Sequence, residues 1–158
     1  MSLYSIPPAI SAIFFLLLGV FVFTRNPTSA ANRAFTFSCI ATTWWQGTWS
    51  VLFSVTDEQL ASTLVRIGYS GIVFIPLTFF HFFVTFVRSV SDRKWVLLSY
   101  IAGIPFLISI WTSDIFVAGV YRFPWGFYPK AGIRHPLYLA LLTILSFRAV
   151  VLLRGSLL

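Results

Sequence analysis

The segment Pro7–Phe23, PPAISAIFFLLLGVFVF, has Ser11 as its only side chain able to form a hydrogen bond. No water-facing element can be built from such a run, so it is either wholly buried in protein or placed in lipid. Further long apolar runs follow it, and a chain of 158 residues cannot hide them all in one soluble core. Charged residues make up 9% of the chain and hydrophobic ones 58%, with a mean hydropathy of +0.89. A soluble domain carries charge on about a quarter of its residues. The chain is therefore expected to be an all-α membrane protein, a bundle of about five transmembrane helices.

In hydrocarbon every backbone polar group has to be satisfied within its own segment, which makes the spans helices. They are drawn over residues 4–24, 32–55, 62–87, 95–111 and 136–153, within one multi-pass unit covering 1–158. No basic start precedes the first span and no small-residue cleavage site precedes Arg25, so that span is expected to stay uncleaved. Pro136 suits a first helical turn, where its missing N–H would be unpaired anyway. The longest connection, 112–135, is expected to be an outer loop. Its Phe123, Trp125, Phe127 and Tyr128 alternate with proline and glycine, as in a tight turn structure with rings at headgroup level. Such a loop is either a lid over the bundle or an interfacial anchor.

The formal charge of +7 comes from eleven Lys and Arg residues against four acidic ones. These bases lie in connections and near helix ends, without a basic tract, so nucleic acid is not an expected partner and membrane lipid is. One set of alternate connections holds seven of them, including Arg88, Arg93, Lys94 and Arg148; the other holds four, including Arg66 and Arg122. The excess places the first set in the cytoplasm, the N-terminus outside and the end of the fifth helix inside. Cys39 is alone, so neither an internal disulfide nor a cysteine-based metal site is available. No phosphate loop, catalytic triad, paired carboxylates or histidine pair is present, and an enzyme, a catalytic residue, a metal or a cofactor is not expected. A transporter is disfavoured because a permeation path calls for more ionisable residues within the spans.

The polar residues inside the spans carry what functional signal there is. In the third span Arg66, Ser70, Val73, Leu77 and His81 recur at steps of three and four and share one face. His81 lies about 22 Å deeper than Arg66 at 1.5 Å per residue. It is either a neutral fastener bonded to a neighbouring helix or a titrating, ligand-contacting group. Arg66 either pairs with Asp57, Glu58 or a lipid phosphate, or faces an anionic or carbonyl-bearing ligand. Gln46, beside Trp44, Trp45 and Trp49, is either a packing contact or the polar anchor of an apolar pocket. Pro76 and Pro105 are expected to bend their helices, free carbonyls and open space in the bundle.

WWQGTWSVLFS (44–54), LVRIGYSGIVFIPLTFFHFFVTF (64–86) and FPWGFYPKAG (123–132) resemble the seven-helix N-terminal sensor region of bacterial histidine kinases. The resemblance extends to the membrane half of kinases that detect acyl-homoserine lactones. It implies a sensory module of a two-component system in the bacterial inner membrane, part of a seven-helix bundle. By this resemblance Gln46, Arg66, Tyr69 and Trp125 contact a small amphiphilic ligand, while Pro76 and His81 shape the helix. A cytoplasmic kinase domain, in cis or in trans, is the implied output partner, and a second copy of the chain is a further candidate. The alternative, in a different class, is an accessory membrane subunit that docks the helices of a larger complex.

Overall fold

The computed structural model describes residues 2–156; Met1, Leu157 and Leu158, the outermost residues of the expected 1–158 unit, lie outside the described residues. A 3-10 turn, Leu3–Ser5, leads into α1 (Ile6–Arg25), followed by α2 (Ala30–Leu52), α3 (Glu58–Phe86) and α4 (Arg93–Thr112). The hairpin β1 (Val117–Phe123) and β2 (Gly126–Ala131) precedes α5 (His135–Ser156). The largest boundary difference from the sequence reading is at α3, which starts at Glu58 rather than residue 62. Asp57 explains it: its carboxylate accepts the Leu60 N–H at 2.7 Å and caps a polar first turn that an apolar run does not reveal.

Four helical stretches, Leu3–Arg25, Glu58–Phe86, Arg93–Thr112 and His135–Ser156, are long and apolar enough to cross a membrane. The 23-residue α2 is long enough but richer in hydroxyls. Several of those hydroxyls are satisfied within the helix: Thr36 donates to the Asn32 carbonyl at 2.8 Å, Thr42 to Ser38 at 2.9 Å and Thr48 to Trp44 at 2.8 Å. A hydroxyl bonded in this way costs little in lipid. Helix α2 lies between α1 and α3. It meets α1 where Thr43 donates to the Ala12 carbonyl (3.4 Å) and Asn32 to the Val22 carbonyl (3.0 Å). Against α3, Trp44 donates to the Ile67 carbonyl at 2.9 Å.

Helix α3 is the hub, packed against α2, α4 and α5. Its Val65, Val73, Leu77 and Phe80 form the core with Leu52, Ile110 and Phe116, all of them buried. Its two glycines on the α2 side let tryptophan rings approach the backbone. A Cβ on Gly71 would lie 3.0 Å from Trp44 Cγ, and one on Gly68 would overlap the Trp49 ring. Most of the exposed apolar side chains, such as Ile13, Phe14, Leu17 and Phe21 of α1, lie where lipid would meet them.

The connection 112–135, expected as a loop, is instead an antiparallel hairpin. Phe123 pairs with Gly126 and Tyr121 with Tyr128, leaving Pro124–Trp125 as a two-residue connection. Gly126 has φ +133° and abuts the Phe53 backbone, a place where a side chain would be strained. A register shift between Val117 and Val120 lets the ribbon bend. Val117 and Phe127 are buried, and both strands contact α3, so the hairpin caps one end of the hub. Aromatic rings suit a membrane interface as well as a strand, which masks the period of two.

At the opposite end Asp92, 1% exposed, sits in the α3–α4 connection. Its carboxylate accepts from Ser89 (2.6 Å), Ser91 (3.1 Å) and the Arg148 Nε and Nη2 of α5 (3.0 and 2.8 Å). Burial by itself would push this carboxyl up. The hydroxyl bonds and the Arg148 guanidinium outweigh it and hold the carboxyl below the usual aspartate value of 3.8. A depressed folded-state pKa adds stability that is complete above the ordinary value and fades as pH falls through the folded one. Asp92→Asn should therefore cost about 1–3 kcal/mol at neutral pH, less than a fully buried pair because Arg148 is half exposed. Thermal unfolding in detergent should show the gap between parent and variant steady at neutral pH and narrowing only below pH 3.8.

Candidate functional site

The stripe Arg66, Ser70, Val73, Leu77 and His81 is the face that α3 turns toward α4. At its start Arg66 donates through Nη1 to the Ile110 carbonyl and through Nη2 to Asp114 at 2.7 Å. One turn on, Ser70 accepts from Trp111 Nε1 at 3.1 Å. Leu77 and Val73 then fill the notch at Gly103, where an added Cβ would lie 2.7 Å from Leu77 Cδ1. At the far end His81 Nδ1 lies 3.3 Å from the Tyr100 hydroxyl, with the rings edge to face. One apolar notch is thus held between polar contacts at both ends of an antiparallel pair.

Arg66 is paired neither with Asp57, which caps α3, nor with Glu58. Its partner is Asp114, beyond the end of α4, and its second bond takes a carbonyl from the last turn of that helix. Helix ends leave their last carbonyls without intrahelical partners, and a cation there also complements the helix dipole. Arg66 is therefore a helix-capping clamp in this conformation.

Pro76 has no N–H, so the Ile72 carbonyl four residues earlier loses its helical donor. The Tyr138 hydroxyl of α5 donates to that carbonyl at 2.8 Å. The freed group does not open space: Pro76 is buried within a continuous α3, and the place is occupied by Tyr138, itself 2% exposed. Pro105, by contrast, is on an exposed position of α4.

Tyr138 belongs to an aromatic cluster under the hairpin. Phe116 stacks on His135 (centroids 5.4 Å, 26°), and Tyr69 meets both edge-on at 5.7 Å. Trp49 approaches Tyr69 at 5.9 Å, and the buried His135 Nδ1 has no hydrogen-bond partner among the described residues. Trp125 stacks flat on Phe123 at 4.8 Å and meets Phe53 at 5.7 Å, fixing the hairpin tip to the end of α2. The four residues assigned to ligand contact have different settings. Gln46 is half-buried on α2, Arg66 is in the clamp, Tyr69 in the aromatic cluster and Trp125 at the hairpin tip. None of them lines the cavities of 780, 610, 430 and 290 Å³.

Those cavities lie elsewhere. One of 780 Å³ opens at the end that carries Arg88 and Arg93, and His81 is in its wall. A second, of 430 Å³, runs between α2 and α3 past Trp44 and Phe74 to His81 and Tyr100. A third, of 610 Å³, separates α4 from α5. No cluster of histidine, cysteine or carboxylate able to hold a metal ion occurs among the described residues. Tyr100, Asp114, Tyr138 and the cavity role of Arg88 and Arg93 were not singled out from the sequence. A tyrosine inside an apolar span is the signal that could have marked Tyr100 and Tyr138, since its hydroxyl needs a partner there.

The Pro76–Tyr138 pairing has a test. Tyr138→Phe leaves the Ile72 carbonyl unpaired and should cost about 1–3 kcal/mol. Pro76→Ala restores a backbone donor, so the same Tyr138→Phe change should cost much less in that background. Thermal unfolding of the four proteins in detergent measures the coupling.

No curated protein and no solved structure matches the chain. The family model described as the N-terminal 7TM region of histidine kinase matches residues 7–157. With a match over nearly its whole length, and with long apolar helices gathered around α3, the chain belongs to the family of N-terminal 7TM regions of histidine kinases.

Proposed function

We propose that the chain is the membrane sensory module of a two-component histidine kinase, recognising a small amphiphilic ligand or a state of the membrane. It passes that information to a cytoplasmic kinase output in cis or in trans. The observation that carries this reading is the family match over residues 7–157. The chain itself supplies sensing, and kinase chemistry belongs to the output domain. It sits in the inner membrane with the hairpin outside and the α3–α4 connection in the cytoplasm, as the distribution of bases supports.

The α3–α4 seam supports a route for the signal. Its two ends are held by polar contacts, Arg66 with Asp114 and His81 with Tyr100, while the middle is a single notch at Gly103. Polar pairs of this kind have discrete bonded and unbonded arrangements, and a ligand shifts them only by binding one better than the other. The accessory-subunit reading has one favourable observation, the open apolar groove between α4 and α5 lined by Leu98, Ala102, Leu141 and Ile144.

Phosphoryl flux to response regulators in the source cells, measured against a panel of medium-chain acyl amphiphiles, tests the sensory reading. One member should raise flux by about threefold or more in the parent and none in cells lacking this module; identical flux in both overturns it. His81→Gln should keep the response and His81→Leu should lower it, because the contact with Tyr100 needs a hydrogen bond rather than a charge. Orientation is read by labelling with a membrane-impermeant maleimide, with buried Cys39 as a quiet background. Tyr128→Cys should react in intact cells and Val90→Cys only after the membrane is opened.

A further inference from the structure

The 780 Å³ cavity lies where the first turn of α2 faces the α3–α4 connection. Its wall holds Ser29, Ala30, Ala31, Arg88, Arg93 and His81. Four features of this wall favour an anion. Arg88 and Arg93 are exposed and take part in no ion pair among the described residues. No carboxylate is among the lining side chains, and the nearby Asp92 is already engaged by Arg148. The backbone N–H groups of Ala30 and Ala31 have no partner among the described residues, whereas Ser29 satisfies that of Asn32. They stand at the positive end of a 23-residue helix.

The cavity does not end in polar surroundings. His81 is in its wall and also in that of the 430 Å³ groove, whose other lining includes Ile40, Trp44, Gly71 and Phe74. From Gly71 to Phe86, which lines the charged cavity, α3 rises about 22 Å at 1.5 Å per residue. That is close to one leaflet of a bilayer about 40–45 Å thick. A cationic mouth and an apolar trough of this length, meeting at the shared wall residue His81, are complementary to an amphiphile with an anionic head.

We propose that this cleft binds an anionic phospholipid of the leaflet facing the α3–α4 connection. Its phosphate lies between Arg88, Arg93 and the α2 N-terminus, and one acyl chain follows the groove past His81 to Trp44. The proposal gives the membrane state of the preceding section a chemical identity. It rests on that reading only for its effect on signalling, because binding is measured without any kinase.

The full chain, purified and stripped of lipid, is offered phosphatidylglycerol, phosphatidylcholine with the same acyl chains, or glycerol phosphate, and bound species are counted by native mass spectrometry. One phosphatidylglycerol should be retained with roughly tenfold or greater preference over phosphatidylcholine. Arg88→Gln with Arg93→Gln should remove that preference, and the Lys pair at the same positions should restore it, with thermal unfolding confirming that all three are folded. Ile40→Trp, at a half-exposed groove position, should lower retention of both lipids. Equal retention of the two lipids by the parent, or a preference that survives the Gln pair, overturns the proposal. Displacement of the lipid by glycerol phosphate assigns the site to a soluble phosphate and overturns the lipid source. Unchanged retention in Ile40→Trp overturns the path of the acyl chain. A parent that binds phosphatidylglycerol but shows no amphiphile-dependent flux separates loss of the sensory reading from loss of this one.

Discussion

Hydrocarbon offers a backbone carbonyl no water to turn to, and this bundle is organised around that fact. Side chains of one helix repeatedly donate to carbonyls of another: Asn32 to Val22, Trp44 to Ile67, Arg66 to Ile110, Tyr138 to Ile72. Two of these acceptors are groups that their own helix leaves short of a donor near its end, Val22 in α1 and Ile110 in α4. A third, Ile72, is left short by Pro76. Each bond joins two helices, and the three to Val22, Ile110 and Ile72 also remove a cost that lipid alone could not relieve. Apolar packing fills the space between these points, but lipid tails compete with apolar contact and do not compete with a donor.

The same logic assigns roles to residues that at first suggest ligand chemistry. Arginine and histidine inside apolar runs are costly, and their usual explanation is a functional site. Here both are engaged with α4 from opposite ends of one seam, and the two contacts frame the Gly103 notch. Structural fastening and a sensory role are compatible, because a fastener that can open is what a two-state helix pair requires. Arg88 and Arg93, which take part in no ion pair among the described residues, border the 780 Å³ cavity instead.

Much of the architecture was legible because apolar length and helix are linked so tightly in a membrane. The face shared by Arg66, Ser70, Val73, Leu77 and His81 was legible too, since a helix admits only one geometry for that spacing. What the face meets was not. Asp114 lies 48 residues from Arg66, in a connection with no periodic signal, and Tyr138 lies 66 residues from Ile72. Pairings at that separation depend on the order in which helices pack, which local pattern does not encode. The hairpin was hidden for a different reason. Tyr121, Phe123 and Tyr128 suit a strand and a membrane interface equally well, so composition alone does not reveal the strand pairing. The cavities were illegible in principle, because volume arises from how helices diverge.

The two tryptophans of α2 carry a mechanical consequence. Trp49 is seated over Gly68 and Trp44 over Gly71, each ring occupying room that only a missing side chain provides. Sliding or rolling one helix against the other would push both indoles into neighbours that have a Cβ. The pair consequently behaves as a keyed shaft, free to tilt as a unit but not to slip, and any stroke the protein makes has to come from the helices outside it.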